Sequence, residues 1–221
     1  MAQIDRYSRI RTLLGEESFE YLQSRTILLL GAGGVGGFCL DALIRSGITN
    51  ITLVDKDTFE ITNQNRQIGS DCVGAIKVNH LASLYPSIQP IHVNIDNSWI
   101  QSHDFSKYDL VIDAIDDLRA KVQIALQVKG KLVSSMGSAK KLDPTQMRID
   151  SIWNTKGDAL AKKFRYELRK AGFNGDFKVV YSPESPHCEE LGSFVAVTGS
   201  FGLALASLGI KSLLTEFLHP L

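Results

Sequence analysis

Five short apolar runs constrain the fold of this chain more than any other feature. They are rich in Ile, Leu and Val and lie at 26–31, 50–55, 90–96, 108–114 and 130–137, with helical patterns between them. None of them alternates strictly between apolar and polar residues, which is typical of strands buried on both faces of a parallel sheet. The sequence therefore predicts an α/β fold with a doubly wound, mostly parallel sheet.

The connections between these runs differ from the segment that follows them. Helical spacing of apolar residues predicts one helix that ends at Gly47, a second over Val73–Leu84 and a third over Leu118–Val128. Beyond Gly137 a turn precedes a loosely alternating strand over 147–152, which we expect to be antiparallel and at a sheet edge. The C-terminal half therefore adds an antiparallel extension to the sheet.

Residues 194–210 are apolar enough to be mistaken for a membrane span. Thr198, Ser200, Ser207 and three glycines within the stretch favour a buried core helix over a membrane anchor. The N-terminal segment is charged throughout and lacks the apolar centre of a secretory signal. We therefore expect a cytoplasmic protein that does not enter the membrane.

Composition narrows the class of protein further. Of 221 residues 44% are apolar, which is enough for one large domain and excludes a long disordered chain. Lys plus Arg and Asp plus Glu both number 24, so an anionic partner must be held by a local basic patch. The three cysteines contain no C-x-x-C pair, which argues against a disulfide framework and against a four-cysteine zinc site.

A glycine-rich turn follows the first run. Gly31, Gly33 and Gly36 form G-x-G-x-x-G between a predicted strand and a predicted helix, where backbone amides can approach phosphates. Asp55 closes the next strand, 24 residues after Gly31, and is placed to accept hydrogen bonds from a ribose. These residues predict a nucleotide site, with NAD as the default ligand.

The polar segment "TNQNRQ" at 62–67 favours ATP over NAD. A triphosphate carries about four negative charges and needs an arginine fork, a lysine and acid-bound Mg²⁺. Arg66 can supply the fork, Asn63 a neutral hydrogen-bonding partner and Lys77 a point charge. The metal ligand is Asp113, Asp116 or Asp117 in "DAIDD", although Asp113 could instead cap a turn and Asp117 the helix that begins near Leu118.

A family resemblance supports the ATP interpretation. The segments "RYSRI", "GAGGVGG", "VDKDTFEITNQNRQ", "VGAIK" and "DAIDD" resemble the motif series of bacterial adenylating enzymes of the ubiquitin-activating superfamily. The resemblance implies a Rossmann-like ATP-binding half over 1–140 and a mixed substrate and dimer half over 141–221, in one domain. It also implies a homodimer in which a substrate carboxylate attacks the α-phosphate of ATP.

The resemblance assigns roles to individual residues. The nucleotide-contacting set is Gly31, Gly33, Gly34, Gly36, Asp55, Asp57, Asn63, Arg66 and Lys77. Asp116 is the implied Mg²⁺ ligand, and Arg9 is implied to reach the neighbouring subunit's ATP, although a solvated helix charge is the alternative for Arg9. Arg66, Lys77, Asp116 and Arg9 together form the predicted catalytic group.

The second half resembles one subfamily, the tRNA threonylcarbamoyladenosine dehydratases. This implies a tRNA substrate, recognised at the anticodon loop, and a cofactor set of ATP and Mg²⁺ without zinc. The segment from Lys156 to Lys178 contains seven Lys or Arg residues and three acids. Its local charge of +4 could neutralise RNA phosphates. The predicted RNA-binding residues are Lys162, Lys163, Arg165, Arg169 and Lys170, with Lys140 and Lys141 as an extension.

Three other functions remain open from the sequence. An enzyme that adenylates the C-terminal glycine of a small sulfur-carrier protein would use the same ATP site, and a sulfur-transfer or carrier protein would be its partner. A nucleotide-binding scaffold without catalysis is a second alternative, and an NAD dehydrogenase is a third. Cys188, next to His187, is interpreted as non-catalytic because ring closure needs no thioester.

Overall fold

The computed structural model describes residues 4–128 and 130–218. Its strands are β1 (Ile27–Leu30), β2 (Ile51–Asp55), β3 (Gln89–His92), β4 (Leu110–Asp113), β5 (Leu132–Ser135), β6 (Arg148–Ser151) and β7 (Lys178–Tyr181). Its α-helices are α1 (Ser8–Leu14), α2 (Glu16–Gln23), α3 (Gly34–Arg45), α4 (Lys77–Leu84), α5 (Asn97–Ser102), α6 (Leu118–Gln127), α7 (Ala159–Lys170) and α8 (Val195–Leu218).

The seven strands form one sheet in the order β3-β2-β1-β4-β5-β7-β6. All neighbouring pairs are parallel except β6 and β7. The parallel sheet and the antiparallel edge strand are therefore confirmed. Because β1 is flanked by β2 and β4, the connections leave it in opposite directions and open a crevice at the carboxyl ends of these strands, where such sheets bind ligands.

Two hydrophobic cores cover the faces of the sheet. Ile27 and Leu29 point into the core built with α3, α4 and α8, whereas Leu28 and Leu30 point into the core built with α5, α6 and α7. This division explains why the strand sequence does not alternate, since both faces bury apolar side chains. The pairing of β5 with β7 joins the two predicted halves of the chain in one sheet, while their separate roles stay a prediction.

Helix α8 is the apolar stretch that resembled a membrane span. It is long enough to cross a membrane and has a mean hydropathy of 1.4. In the structure it buries Phe201, Leu205 and Leu213 in the core and lies against α3. A Cβ added at Gly202 would lie 2.4 Å from the Val35 carbonyl oxygen, so the glycine permits this close approach.

The start of one helix differs from the sequence prediction, and one strand of the sheet was not predicted. Helix α4 begins at Lys77 and not at Val73, because 73–76 forms a turn that pairs Ile76 with Thr58 in an isolated bridge. Strand β7 was not predicted; it is stabilised by pairing with β5 on one side and β6 on the other.

Candidate active site

The glycine loop runs from the end of β1 to the start of α3. Gly31 has a φ of +98°, and a Cβ there would lie 2.7 Å from the Ala114 carbonyl oxygen. A Cβ at Gly36 would lie 1.9 Å from the carbonyl oxygen of Gly31. At Gly33 the nearest atom would be 4.0 Å away, so the outer side of the loop is open. The loop thus presents free backbone at the N-terminus of α3, as an anion site requires.

Asp55 connects this loop with the segment after β2. Its carboxylate accepts hydrogen bonds from the Ala32 amide at 2.6 Å and from the Asp57 amide at 2.8 Å. The side chain lies at the carboxyl edge of the sheet beside the glycine loop, which is where the ribose prediction places it. Ribose binding by Asp55 stays a prediction.

The polar segment at 62–67 lies against the start of α3. Asn63 is buried and its Oδ1 accepts a hydrogen bond from the Glu60 amide at 3.1 Å. The Arg66 guanidinium donates to the Thr62 carbonyl at 2.7 Å and to the Asn65 side chain at 2.9 Å. A Cβ added at Gly34 would lie 3.3 Å from Cγ of Arg66. The fold therefore brings Arg66 next to the glycine loop from 32 positions away.

Lys77 is the first residue of α4, and its side chain is only 6% exposed. The ammonium is 3.2 Å from Oδ2 of Asp57, whose side chain is 51% exposed, and the Lys77 amide donates to the Asp57 carbonyl at 3.0 Å. This half-exposed acid holds a mostly buried cation in place. Asp57 therefore contacts Lys77 directly; nucleotide contact by either residue stays a prediction.

The three aspartates of "DAIDD" have three different environments. Asp113 is fully buried in an ion pair with Lys121, at 2.9 Å. Asp117 is the N-cap of α6 and accepts a hydrogen bond from the Ala120 amide at 2.9 Å, which confirms its predicted capping role. Asp116 is exposed, and no hydrogen bond or ion pair engages its carboxylate among the described residues. Asp117 is exposed as well, but of the three only Asp116 has a carboxylate that makes no hydrogen bond or ion pair within the described residues.

Lys121 is the residue of this region that sequence reasoning missed. Its ammonium donates to Oδ2 of Asp113, to Ser134 Oγ at 3.1 Å and to the Ser135 carbonyl at 2.8 Å. The available signal was its position in α6, on the same face as buried Ile124 and Ala125. A lysine on an apolar helix face implies a buried acceptor nearby.

A groove of about 990 Å³ begins beside these residues. Its lining includes Lys56, the residue after Asp55, and Asp117 and Leu118, the two residues after Asp116. Lys170 of α7 also lines it. The groove therefore adjoins the crevice in which the predicted nucleotide residues meet.

Comparison with known proteins decides the family. The ThiF family profile matches residues 7–219. The chain belongs to the ThiF family. A tRNA threonylcarbamoyladenosine dehydratase of Bacillus subtilis is 37% identical over 195 residues, which are 83% of this chain and 76% of the relative. The enzyme of that name from Haemophilus influenzae is 35% identical over 185 residues, 77% of this chain and 71% of that relative.

Solved structures agree with the ThiF assignment. The structure of E. coli tRNA N6-threonylcarbamoyladenosine dehydratase, TcdA, in complex with ATP is 30% identical, with a TM-score of 0.90 over 97% of this chain and 96% of that chain. The E. coli MccB structure with ATP, 18% identical with a TM-score of 0.63 over 96% of this chain and 64% of that chain, shares the fold. The similarity to TcdA thus extends through both halves of this ThiF chain.

The basic helix of this ThiF protein is α7. Lys162, Lys163, Arg169 and Lys170 are exposed, whereas Arg165 is partly buried and donates to Thr155 Oγ1. Lys141, expected to extend the basic patch, is instead buried and donates to the carbonyls of Ser182 and Glu184 at 3.0 and 2.9 Å. That extension was wrong for Lys141, because its ammonium is buried and hydrogen-bonded to internal carbonyls.

The loop after β7 carries Cys188 and His187. The His187 ring is 2.7 Å from Oε1 of Glu184, and Cys188 is exposed with its Sγ 3.2 Å from the Glu190 carbonyl. Burial alone would raise the pKa of Glu184, but hydrogen bonds from the Leu142 and Asp143 amides and from His187 hold it below its ordinary value. Histidine is thus paired with Glu184 and not with the thiol, and the non-catalytic role of Cys188 stays a prediction.

Arg9 lies on α1 and is exposed. Its neighbour Arg11 forms ion pairs with Asp5 at 3.1 Å and Glu16 at 2.9 Å. Within residues 4–128 and 130–218 the Arg9 side chain makes no hydrogen bond or ion pair. The prediction that it reaches a neighbouring subunit remains open.

Proposed function

We propose that this chain is an ATP-dependent tRNA threonylcarbamoyladenosine dehydratase, which adenylates the threonylcarbamoyl carboxylate at position 37 of tRNA. The observation that carries the proposal is the match to the ATP complex of TcdA across 97% of the chain. The site described above supports it, since a glycine loop, Arg66, Lys77 and an open Asp116 meet at the carboxyl edge of the sheet.

The residues present fit ATP and Mg²⁺. The glycine loop offers backbone amides to phosphate, and Arg66 and Lys77 neutralise charge on the departing pyrophosphate. Mg²⁺ usually takes one or two carboxylates and fills its shell with water and phosphate oxygens. Asp116 can supply that carboxylate, although no cluster of three His, Cys, Asp or Glu side chains occurs within the described ranges. Bound there, Mg²⁺ would neutralise phosphate charge in the adenylation step.

The chemistry takes place in two steps. A carboxylate oxygen of the substrate attacks the α-phosphorus of ATP, and the bond to the bridging oxygen breaks to release pyrophosphate. The neighbouring ureido group then attacks the activated carbonyl and closes a ring, and AMP leaves with the carboxylate oxygen. One water is lost overall from the nucleoside. These steps require positioning and charge neutralisation, and neither requires a protein nucleophile.

We further propose a cytoplasmic homodimer that holds tRNA on the exposed cations of α7. Exposed apolar side chains beside the polar segment at 62–67 support a subunit contact: Ile61 is 66% exposed and Phe194 is 42% exposed. The Asn65 side chain donates to the Ser193 carbonyl at 3.0 Å and links the two segments. Cations on α7 would bind phosphates without reading sequence.

The decisive experiment is nucleoside mass spectrometry on tRNA that bears threonylcarbamoyladenosine, incubated with the protein, ATP and Mg²⁺. The expected product has lost one water, AMP accumulates in parallel, and Arg66→Ala abolishes both. Unchanged nucleoside in a preparation that binds ATP would reject the proposal.

A second candidate is adenylation of the C-terminal glycine of a ubiquitin-like carrier protein. It is favoured by a 34% identity to SUMO-activating enzyme subunit 2 of Dictyostelium discoideum, although only over 125 residues, 53% of this chain and 19% of that protein. Pyrophosphate exchange that depends on a carrier ending in Gly-Gly, and not on modified tRNA, would identify this function.

A further inference from the structure

A fully buried ion pair lies directly beneath the candidate metal-binding loop. Neither Lys121 on α6 nor Asp113 at the end of β4 exposes any of its side chain. Lysine is almost never buried completely unless it is paired, and such a pair often contributes no more stability than apolar residues of similar volume would. Its presence here therefore suggests a role other than stability.

The pair connects three elements. The Lys121 ammonium reaches Asp113 on β4 at 2.9 Å and the Ser135 carbonyl on β5 at 2.8 Å, while its own backbone belongs to α6. Ser134 Oγ completes the cluster by donating to Oδ2 of Asp113 at 2.6 Å. The carboxyl ends of two neighbouring strands are thus cross-linked at the point where the chain leaves the sheet.

The cluster also fixes the loop above it. The other Asp113 oxygen, Oδ1, accepts a hydrogen bond from the Ile115 amide at 3.2 Å. Asp117 fixes the far end of the loop as the N-cap of α6. Between these anchors the Ala114 carbonyl lies under Gly31, so that a Cβ there would be only 2.7 Å away. The short loop that bears Asp116 is therefore held at both ends and touches the glycine loop.

We propose that Lys121 is a positioning residue for Asp116. By orienting Asp113, its ammonium fixes the loop that places the Asp116 carboxylate and supports the phosphate-binding glycine loop. This inference rests on the proposed adenylating function, because it takes Asp116 as the Mg²⁺ ligand. Lys121 itself touches neither nucleotide nor metal. Residues that orient a metal ligand in this way typically affect metal affinity or activity by about 10–100-fold.

Mg²⁺-dependent ATP binding by Lys121→Met tests the inference. We expect the Mg²⁺ concentration for half-maximal ATP binding to rise roughly tenfold or more, and ATP binding without Mg²⁺ to change much less. Amide hydrogen exchange at Ile115 and Asp116 should become faster in the same variant. With modified tRNA, kcat should fall while KM for tRNA stays the same. A folded variant with unchanged Mg²⁺ dependence and unchanged exchange would overturn the inference.

A second variant separates positioning from charge balance. Lys121→Met alone leaves the Asp113 charge unpaired in the core and could fail to fold. Asp113→Asn/Lys121→Met removes both charges and should regain stability, yet it still lacks the hydrogen bond from the Lys121 ammonium to the Ser135 carbonyl on β5 and should keep the raised Mg²⁺ requirement. Recovery of the wild-type Mg²⁺ requirement in this double variant would show that Lys121 only balances charge, and would overturn the inference.

Lys141→Met is the matched control. Lys141 is also buried, but its ammonium holds the loop after β7 through Ser182 and Glu184. Its loss should leave exchange at Ile115 and Asp116 unchanged, and equal acceleration there would indicate general loosening and reject a specific role for Lys121. Wild-type protein that binds Mg²⁺ and ATP but does not alter modified tRNA would reject the proposed function alone, since the binding and exchange measurements need no tRNA.

Discussion

Two glycines of the glycine loop differ in what a side chain would meet. Gly36 is required by the fold, because a side chain there would collide with the Gly31 carbonyl at 1.9 Å. Gly33 has open space on its outer side and a φ of −82°, which any residue can adopt. The fold therefore does not require glycine at this position, and we expect the missing side chain to leave room for a bound phosphate.

Alanine substitutions should separate these roles. Gly36→Ala should destabilise the protein by about 1–3 kcal/mol or more, as overpacking does. Gly33→Ala should destabilise the protein by about 1 kcal/mol or less, since glycine is a better N-cap than alanine but the added Cβ would meet no atom closer than 4.0 Å. Its Cβ should nevertheless crowd the phosphates and weaken ATP binding. Urea unfolding and ATP titration of both variants measure the contrast, and equal ATP affinity of Gly33→Ala and wild type would contradict it.

The sequence predicted the local part of the site and missed its long-range part. Asp117 was recognised as a possible N-cap because capping needs only the helix that begins at the next residue. The burial of Asp113 depends on Lys121 and Ser134, eight and 21 positions away in different elements. The helix face of Lys121 indicates a buried acceptor, but no local pattern identifies Asp113 as that acceptor. Likewise, nothing in the sequence around Lys141 indicates that its ammonium would be buried and hydrogen-bonded to the carbonyls of Ser182 and Glu184.

The N-cap of helix α7, Asp158, is a carboxylate whose negative charge is destabilised by burial. Asp158 accepts the Ala161 amide at 2.8 Å, yet its other oxygen is buried and has no hydrogen-bond partner among the described residues. Burial raises the pKa of this carboxyl above 3.8, although the helix amides and Lys141 oppose the shift. The Asp158 carboxyl thus binds its proton more tightly in the folded protein than in the unfolded chain.

Stability should therefore depend on pH through Asp158. Since its folded pKa is raised, its contribution is present below the unfolded value near 3.8 and is lost as pH rises through the folded pKa. Asp158→Asn keeps a cap, removes the buried charge and should be more stable than wild type by about 1 kcal/mol at neutral pH. Urea unfolding of both proteins between acidic and neutral pH measures this, and a difference that shrinks with rising pH would contradict it.

Asp104→Asn is the control for this pH dependence. Asp104 also caps a short helix, and hydrogen bonds from the side chain and the amide of Ser106 lower its pKa. Its contribution is present above the unfolded pKa and is lost as pH falls, which is the opposite sign to Asp158. Loss of the charge at Asp104 should not stabilise the protein at neutral pH.

At the scale of the whole molecule, the open question is whether two subunits share each active site. Arg9 lies far along the chain from Arg66, and its side chain is exposed. If it completes the neighbouring subunit's site, each site needs Arg66 from one chain and Arg9 from the other. Two separately inactive variants can then restore each other.

Mixing Arg9→Ala with Arg66→Ala tests this arrangement. After subunit exchange in equal amounts, about a quarter of the sites should hold both arginines and regain AMP formation, as follows for a symmetric dimer. Pull-down through an affinity tag carried by only one of the two variants provides the control for exchange. Complete absence of recovered activity, despite proven exchange, would show that each subunit uses its own arginines.

The contact between α3 and α8 also determines when the active site can form during synthesis. The glycine loop is encoded near the start of the chain, but a Cβ at Gly34 would lie 3.3 Å from Thr198, and Gly202 lies against Val35. The last helix therefore completes the support of a loop made some 160 residues earlier. A nascent chain whose α8 is still inside the ribosome should keep an apolar face uncovered and bind no ATP, which makes the emergence of α8, and not translation of the glycine motif, the event that allows the site to form.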